Sequence, residues 1–162
     1  MNSTKKTTSE AFVSYVMQKI SWDKDFCRKL KLADTQQFHY FSDELLSSWF
    51  FSEDNSHKAI FSTIAASMIR TNTKTMGAMA FAKAFSKIDN KKHYTQSQLK
   101  ILLQSSDVIQ CCSVIRKMLR EIESHKFRIN YIKLLDQLLF FDSYPERQKI
   151  IWAKDYYRTE LN

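Results

Sequence analysis

The chain has 162 residues, of which 44% are hydrophobic, and a formal net charge of +8. This length supports a core without disulfides or metal, the composition argues against disorder, and no apolar run approaches the ~18 residues of a membrane span. One glycine and one proline, Gly77 and Pro145, compare with roughly eleven and eight at average usage. Because turns and hairpins draw on both residues and helices exclude them, we expect an all-α protein.

The N-terminal part of the chain predicts four helices. Ser9 is a candidate cap for the first, and Asp23 for a short second helix. A third helix is predicted from about Thr35 to Phe50, and "SEDNS" after it is predicted to be a loop. The run "AIFSTIAASMI" is apolar on most sides, so a helix over 57–70 is expected to be central and buried.

The middle of the chain contains a polar break, "TNTKT", and then a predicted helix from Met76 to Ile88. The stretch "DNKKHY" is predicted to link two halves of the protein. Thr95 and Gln98 have the spacing of a capping box before "LKILL". The overall prediction is about eight helices in two packed helical-bundle lobes, over residues 1–90 and 95–162.

The C-terminal part predicts three more helices. Ser106 is expected to cap a long helix over 107–124, with Ile109 among its inward-facing residues. A further helix is predicted over 130–140, and Pro145 suits the first turn of the last helix. On that last helix, Trp152 and Tyr156 are predicted to face the core together with Ile151.

The positive charge is concentrated in the middle third. Residues 55–106 carry eight Lys and Arg against Asp89 alone, whereas the segments before and after are nearly balanced. Lys83 and Lys87 are one helical turn apart, a like-charged pair that costs a few tenths of a kcal/mol (~0.3) unless an anion relieves it. Three interpretations remain open: contact with nucleic acid, a solvated face, or an acidic protein partner.

Catalytic and metal-binding signatures are not found in the sequence. The histidines His39, His57, His93 and His125 show no metal-ligand spacing, and one glycine cannot make a phosphate loop. The odd count of three cysteines, Cys27, Cys111 and Cys112, indicates reduced thiols in a cytoplasmic protein. We therefore expect neither an enzyme nor a metal or cofactor.

Three C-terminal stretches carry a family resemblance. "RKMLREI" (116–122), "INYIKLLDQLLFFD" (129–142) and "WAKDYY" (152–157) resemble the CasB family, the small subunits of the type I-E CRISPR Cascade complex. In the N-terminal half, "FAKAFSKI" resembles the family's Leu-Gly-Arg-Ala-Leu segment. The resemblance implies an all-α protein without catalysis of its own, working in antiviral defence.

The resemblance also implies partners. These are the backbone and large subunits of Cascade, a second copy of the same chain, the guide RNA (crRNA), and the target and displaced DNA strands. Basic residues would meet backbone phosphates while base pairing supplies the sequence specificity. The nucleic-acid-binding candidates are the following residues: Arg28, Lys58, Lys74, Lys83, Lys87, Lys100, Arg116, Lys117 and Arg120.

Three other functions are weighed against this hypothesis. A helical scaffold would dock an acidic protein partner without touching nucleic acid. A helix-turn-helix regulator would need a Gly-type turn, for which Gly77 is poorly placed. An enzyme would be revealed by metal content or nuclease activity, and we expect neither.

Overall fold

The computed structural model describes residues 5–33, 36–51, 55–88 and 92–158, and in these ranges it contains nine α-helices and no β-strand. The all-α prediction is confirmed. The helices are α1 (Thr8–Trp22), α2 (Lys24–Ala33), α3 (Tyr40–Leu46), α4 (Ser56–Arg70), α5 (Phe81–Ser86), α6 (Lys92–Leu103), α7 (Val108–Ser124), α8 (Tyr131–Leu139) and α9 (Pro145–Tyr157).

Helix α1 begins earlier than the sequence predicted. Thr7 accepts a hydrogen bond from the backbone N–H of Glu10, and the Glu10 carboxylate accepts from the Thr7 N–H, which completes a capping box. The predicted cap, Ser9, instead lies inside the first turn, buried, and its hydroxyl donates to Asp136 of α8. Asp23 caps α2 as predicted, accepting from the Phe26 N–H at 3.0 Å.

The predicted third helix is broken into three pieces. A 3₁₀ turn at Gln36–Phe38 precedes α3, and a second at Ser47–Trp49 follows it, so the single helix over 35–50 was wrong. Serines 47 and 48 favour helix only weakly. The tighter 3₁₀ turn places the centroid of the Trp49 ring 5.1 Å from that of Phe12 in the core. Most of the predicted "SEDNS" loop (52–54) lies outside the described residues.

Helix α4 is the centre of the fold, as predicted. Its residues from Ile60 to Ile69 are all buried, and it packs against α1, α2, α3, α7 and α8. The buried apolar residues of all nine helices form a single cluster around it. α4 thus fixes the positions of the helices on both sides of it.

The segment after α4 is not the start of a long helix. Residues 71–80 are non-helical, and α5 spans only Phe81–Ser86, so the helix predicted over 76–88 was wrong in its first five residues and its last two. Met79 forms an isolated bridge with Ile129, and its carbonyl accepts from the Asn130 N–H at 2.8 Å. The Met79 carbonyl therefore accepts a hydrogen bond from a distant segment instead of one from a residue four positions later in a helix.

Two caps predicted in the C-terminal part were misplaced. α6 already begins at Lys92, so 92–94 are helical rather than linker, and Thr95 is buried inside the helix, its hydroxyl 2.6 Å from that of Tyr156. At α7 the cap is Asp107, one residue later than predicted, which accepts from the Gln110 N–H at 2.8 Å. Ile109 is 46% exposed and does not face the core.

Helices α8 and α9 follow the sequence pattern closely. Asn130 caps α8, and Pro145 opens α9. Trp152 is fully buried and Tyr156 is 6% exposed, as expected for the core face of α9. α5 packs against α9, α7 and α6, so it contacts mainly helices of the C-terminal half. The division into lobes at 1–90 and 95–162 stays a prediction.

Candidate nucleic-acid interface

The nine candidate residues all lie in described parts of the chain and on several elements. They are found on α2 (Arg28), α4 (Lys58), the segment after α4 (Lys74), α5 and its C-cap (Lys83, Lys87), α6 (Lys100) and α7 (Arg116, Lys117, Arg120). Only α7 carries more than two of them. The densest group of candidate residues is therefore on that helix.

Helix α7 separates an apolar face from a basic one. Its residues Cys112, Ile115 and Leu119 are fully buried where α7 packs on α4. Lys117 and Arg120 are exposed, three residues apart, and so are neighbours on the helix surface. Like charges at this spacing repel each other and attract a polyanion, and Glu121, one turn beyond Lys117, offsets part of the charge.

Arg116 extends this row to the seam between α7 and α4. It is half-buried, and its Nε donates to Thr63 Oγ1 on α4 at 3.1 Å. The Thr63 hydroxyl in turn donates to the Ala59 carbonyl at 2.7 Å. These contacts orient the guanidinium group at the seam between the two helices.

Lys83 has a structural contact that the sequence did not indicate. Its ammonium group donates to the carbonyl oxygen of Arg158, the C-cap residue that follows α9. A cation at a helix C-terminus complements the partial negative charge there. Lys87 lies one residue beyond the short α5, as its C-cap, and is half-buried.

Two other candidates form ion pairs on the surface. Arg28 Nη2 lies 2.8 Å from an oxygen of Asp25, both side chains being about 60% exposed, and Lys58 Nζ lies 2.6 Å from Asp43. The exposed Arg28–Asp25 pair adds little stability because solvent screens it. A phosphate can therefore replace the carboxylate at small cost. Lys100 is exposed in the last turn of α6.

Lys74 lies in a cleft whose other basic residues the sequence analysis missed. The cleft has a volume of about 660 Å³ and lies between the segments that follow α4 and α7. Its basic lining residues are Arg70, Lys74, Lys126 and Arg128, and the acid among its described lining residues is Glu123. Lys126 and Arg128 belong to the C-terminal third of the chain, in which acidic and basic residues are nearly balanced. The net charge of that third therefore did not mark them as candidates.

The described side chains show no arrangement that would support nucleophilic or metal chemistry. Burial raises the pKa of the Cys111 and Cys112 thiols to about 12, so neither is a thiolate at neutral pH. In the described ranges no group of three or more His, Cys, Asp or Glu side chains could hold a metal ion. Likewise, none of the described helices is both long and apolar enough to span a bilayer.

Comparison with known proteins gives a consistent family. The family model "CRISPR-associated protein Cse2" matches residues 27–157. Among solved structures, CasB from Thermus thermophilus is 15% identical with a TM-score of 0.72, covering 95% of this chain and 100% of its own. A Cse2-family CRISPR-associated protein from the same organism is 17% identical with the same TM-score and coverage.

A chain described as a CRISPR RNA-guided surveillance complex also matches, at 15% identity and a TM-score of 0.72, over 93% of this chain and 92% of that one. No curated protein sequence gives a significant match. The structural matches show a shared fold, and the family model spans all nine residues of the predicted site. The resemblance to CasB is thereby confirmed, and the chain belongs to the Cse2 family of CRISPR-associated proteins.

Proposed function

We propose that the chain is the non-catalytic small subunit of a type I-E CRISPR Cascade complex and binds nucleic-acid backbones through its basic side chains. The partners are the backbone and large subunits, a second copy of this chain, the crRNA, and the target and displaced DNA strands. The protein works in the cytoplasm, where it stabilises the R-loop.

Membership of the Cse2 family supports the place in the complex. The fold match to a chain of a surveillance complex, over nearly the whole of both chains, supports it further. In such complexes base pairing reads the sequence, so an accessory subunit needs to recognise only charge and shape. A surface of Lys and Arg without a base-specific arrangement suits that task.

The proposal rests mainly on the basic face of α7. Lys117 and Arg120 are exposed and adjacent, and Arg116 is oriented by Thr63 beside them. All three lie inside the region that the family model matches. Packing of α7 on the buried helix α4 holds this face in place without help from a ligand.

The test is fluorescence anisotropy with labelled single-stranded RNA, single-stranded DNA and duplex, titrated across salt. The slope of log K against log salt is negative. Its magnitude decreases by about 0.9 on duplex, and by about 0.7 on single strands, for each phosphate that is no longer neutralised. We expect the variant Lys117→Gln/Arg120→Gln to bind every sequence more weakly and with a shallower slope. The matched control removes two exposed cations from α9, as Arg147→Gln/Lys154→Gln, and we expect it to bind like the wild type.

An unchanged slope in the α7 variant would overturn the assignment of that face. If the wild-type protein binds no nucleic acid at low salt but co-purifies with the other Cascade subunits, the scaffold hypothesis replaces direct binding. Failure to co-purify with those subunits would overturn the place in the complex.

A further inference from the structure

The cleft around Lys74 has walls that tertiary contacts fix. One wall is the segment 71–77 after α4, and the other is 126–129 after α7. The two segments touch where Gly77 meets Arg128: a Cβ built on Gly77 would lie 2.8 Å from Arg128 Cβ and closer still to its carbonyl group. The bridge between Met79 and Ile129 continues this contact. The glycine therefore sets the distance between the walls.

The cations of the cleft are only partly used by the protein itself. Glu123 is neutralised by Arg70, to which it is joined by two hydrogen bonds. The Lys74 and Lys126 side chains, both exposed, make no hydrogen bond or ion pair in the structure as described. Arg128 has a single long contact, from Nη1 to Thr75 Oγ1 at 3.4 Å. The cleft therefore has an excess of three positive charges.

Lys126 has a left-handed backbone conformation that is unusual for a lysine. Lys126 follows the C-cap of α7 with φ 59°, and Asn72 follows that of α4 with φ 50°. Glycine or asparagine usually occupies this left-handed position, so Asn72 is ordinary and Lys126 is not. Strained backbone positions cluster at ligand-binding sites, so the strain at Lys126 agrees with a binding role for the adjacent cleft.

Helix dipoles explain only part of this charge. Basic residues near the C-termini of α4 and α7 complement the dipoles there, which accounts for Arg70 and in part for Lys126. Lys74 and Arg128 lie four residues beyond the ends of their helices, past the reach of that effect. Their convergence on one cleft needs another explanation.

We propose that this cleft binds the backbone phosphates of a single nucleic-acid strand, held by Lys74, Lys126 and Arg128. The inference rests on the proposed function and adds a second contact site, apart from α7. A volume of about 660 Å³ is that of a cube ~9 Å on edge, which is too narrow for a B-DNA duplex, since the major groove alone is ~12 Å wide. A duplex can only lie across the mouth, whereas one strand can place a phosphate inside.

The test is a ¹H–¹⁵N NMR titration of the full chain with three separate probes: an oligothymidylate, a duplex of the same length, and inorganic phosphate. We expect the oligothymidylate to shift the backbone amides of 72–77 and 125–129, and the duplex to shift them less. Shifts confined to α7 would overturn the cleft site and leave the proposed function intact. Shifts with inorganic phosphate but not with the oligothymidylate would identify a free-anion site and overturn the strand proposal. No shift with any nucleic acid would overturn both the cleft site and direct nucleic-acid binding by α7.

Variants give a second measurement. Lys126→Asn removes the charge while keeping a residue that tolerates the left-handed backbone, and Lys74→Gln removes the other lysine. We expect the double variant to bind oligothymidylate about tenfold more weakly, since a hydrogen bond to a charged group contributes on that scale. The salt slope should fall by about 0.7 for each phosphate that the variant no longer neutralises. The control Arg147→Gln/Lys154→Gln should change neither quantity. A double variant that is less stable but binds like the wild type would show that these lysines only stabilise helix ends.

Discussion

Arg70 and Glu123 join α4 to α7 through two parallel hydrogen bonds, from Nε to Oε2 at 2.8 Å and from Nη2 to Oε1 at 2.9 Å. Both side chains are only 12% exposed. The same carboxylate accepts from Ser67, whose hydroxyl lies 2.8 Å from that of Tyr131 on α8. Three helices thus meet in one polar network, of which Arg70, Glu123 and Tyr131 line the cleft.

Breaking this pair should destabilise the protein strongly. Glu123→Gln leaves the Arg70 guanidinium in a largely buried position without its carboxylate, and removing one partner of a buried pair costs about 3–5 kcal/mol. Since both groups retain some exposure, we expect about 3 kcal/mol less free energy of unfolding. Urea denaturation followed by circular dichroism measures it.

The control is Glu146→Gln on α9, where the carboxylate is 82% exposed and 3.6 Å from Lys149. This change should cost less than about 1 kcal/mol. Equal stabilities of the two variants would show that the Arg70–Glu123 pair does not hold α4 to α7.

Gly77→Ala should separate the two walls of the cleft. The new Cβ overlaps the carbonyl group of Arg128, which is backbone and cannot rotate away. Overpacking of this kind costs about 1–3 kcal/mol. Thermal unfolding measures the loss, with Ala78→Gly as the control at the exposed neighbouring position. A variant as stable as the wild type would mean that the two segments can move apart freely.

The elements predicted correctly are those with a strong local signal. The buried helix α4, the cap Asp23 and the proline that opens α9 all depend on residues within a few positions of one another. The failures depend on distant partners. Met79 pairs with Ile129 and Asn130 about fifty positions away, and Thr95 is buried where its hydroxyl meets that of Tyr156.

The same distinction holds for the candidate site. Arg116, Lys117 and Arg120 are close in sequence, so helical spacing and the family resemblance place them on one face. Lys126 and Arg128 reach Lys74 only through the fold, and no local pattern marks them. A surface made by one helix is therefore easier to predict from sequence than a cleft made by two distant segments.

Lys83 should contribute to stability as well as charge. Lys83→Gln weakens the contact with the Arg158 carbonyl, and a cation at a helix C-terminus is worth about 0.3–1 kcal/mol. We expect a loss in that range on chemical denaturation. Lys100→Gln, an exposed change on α6, should have little effect. If the two variants are equally stable, the contact of Lys83 with α9 contributes nothing.

Thiol reactivity should separate the three cysteines. Burial raises the pKa of Cys111 and Cys112 to about 12, and it raises that of the half-buried Cys27 as well. Because the thiolate is the reactive form, we expect iodoacetamide at pH 8 to modify Cys27 slowly in the folded protein and all three after unfolding. Mass spectrometry of tryptic peptides gives the sites.

The same thiols should make stability depend on pH at the alkaline end. In the unfolded chain Cys111 and Cys112 lose their protons near the ordinary pKa of 9.0, but in the folded protein they keep them to about 12. The folded state therefore binds more protons in this interval, and the free energy of unfolding falls as pH rises from about 9 towards 12. The double variant Cys111→Ala/Cys112→Ala should show a smaller fall over the same interval in urea denaturation. An equal fall in both proteins would assign the alkaline loss to other groups.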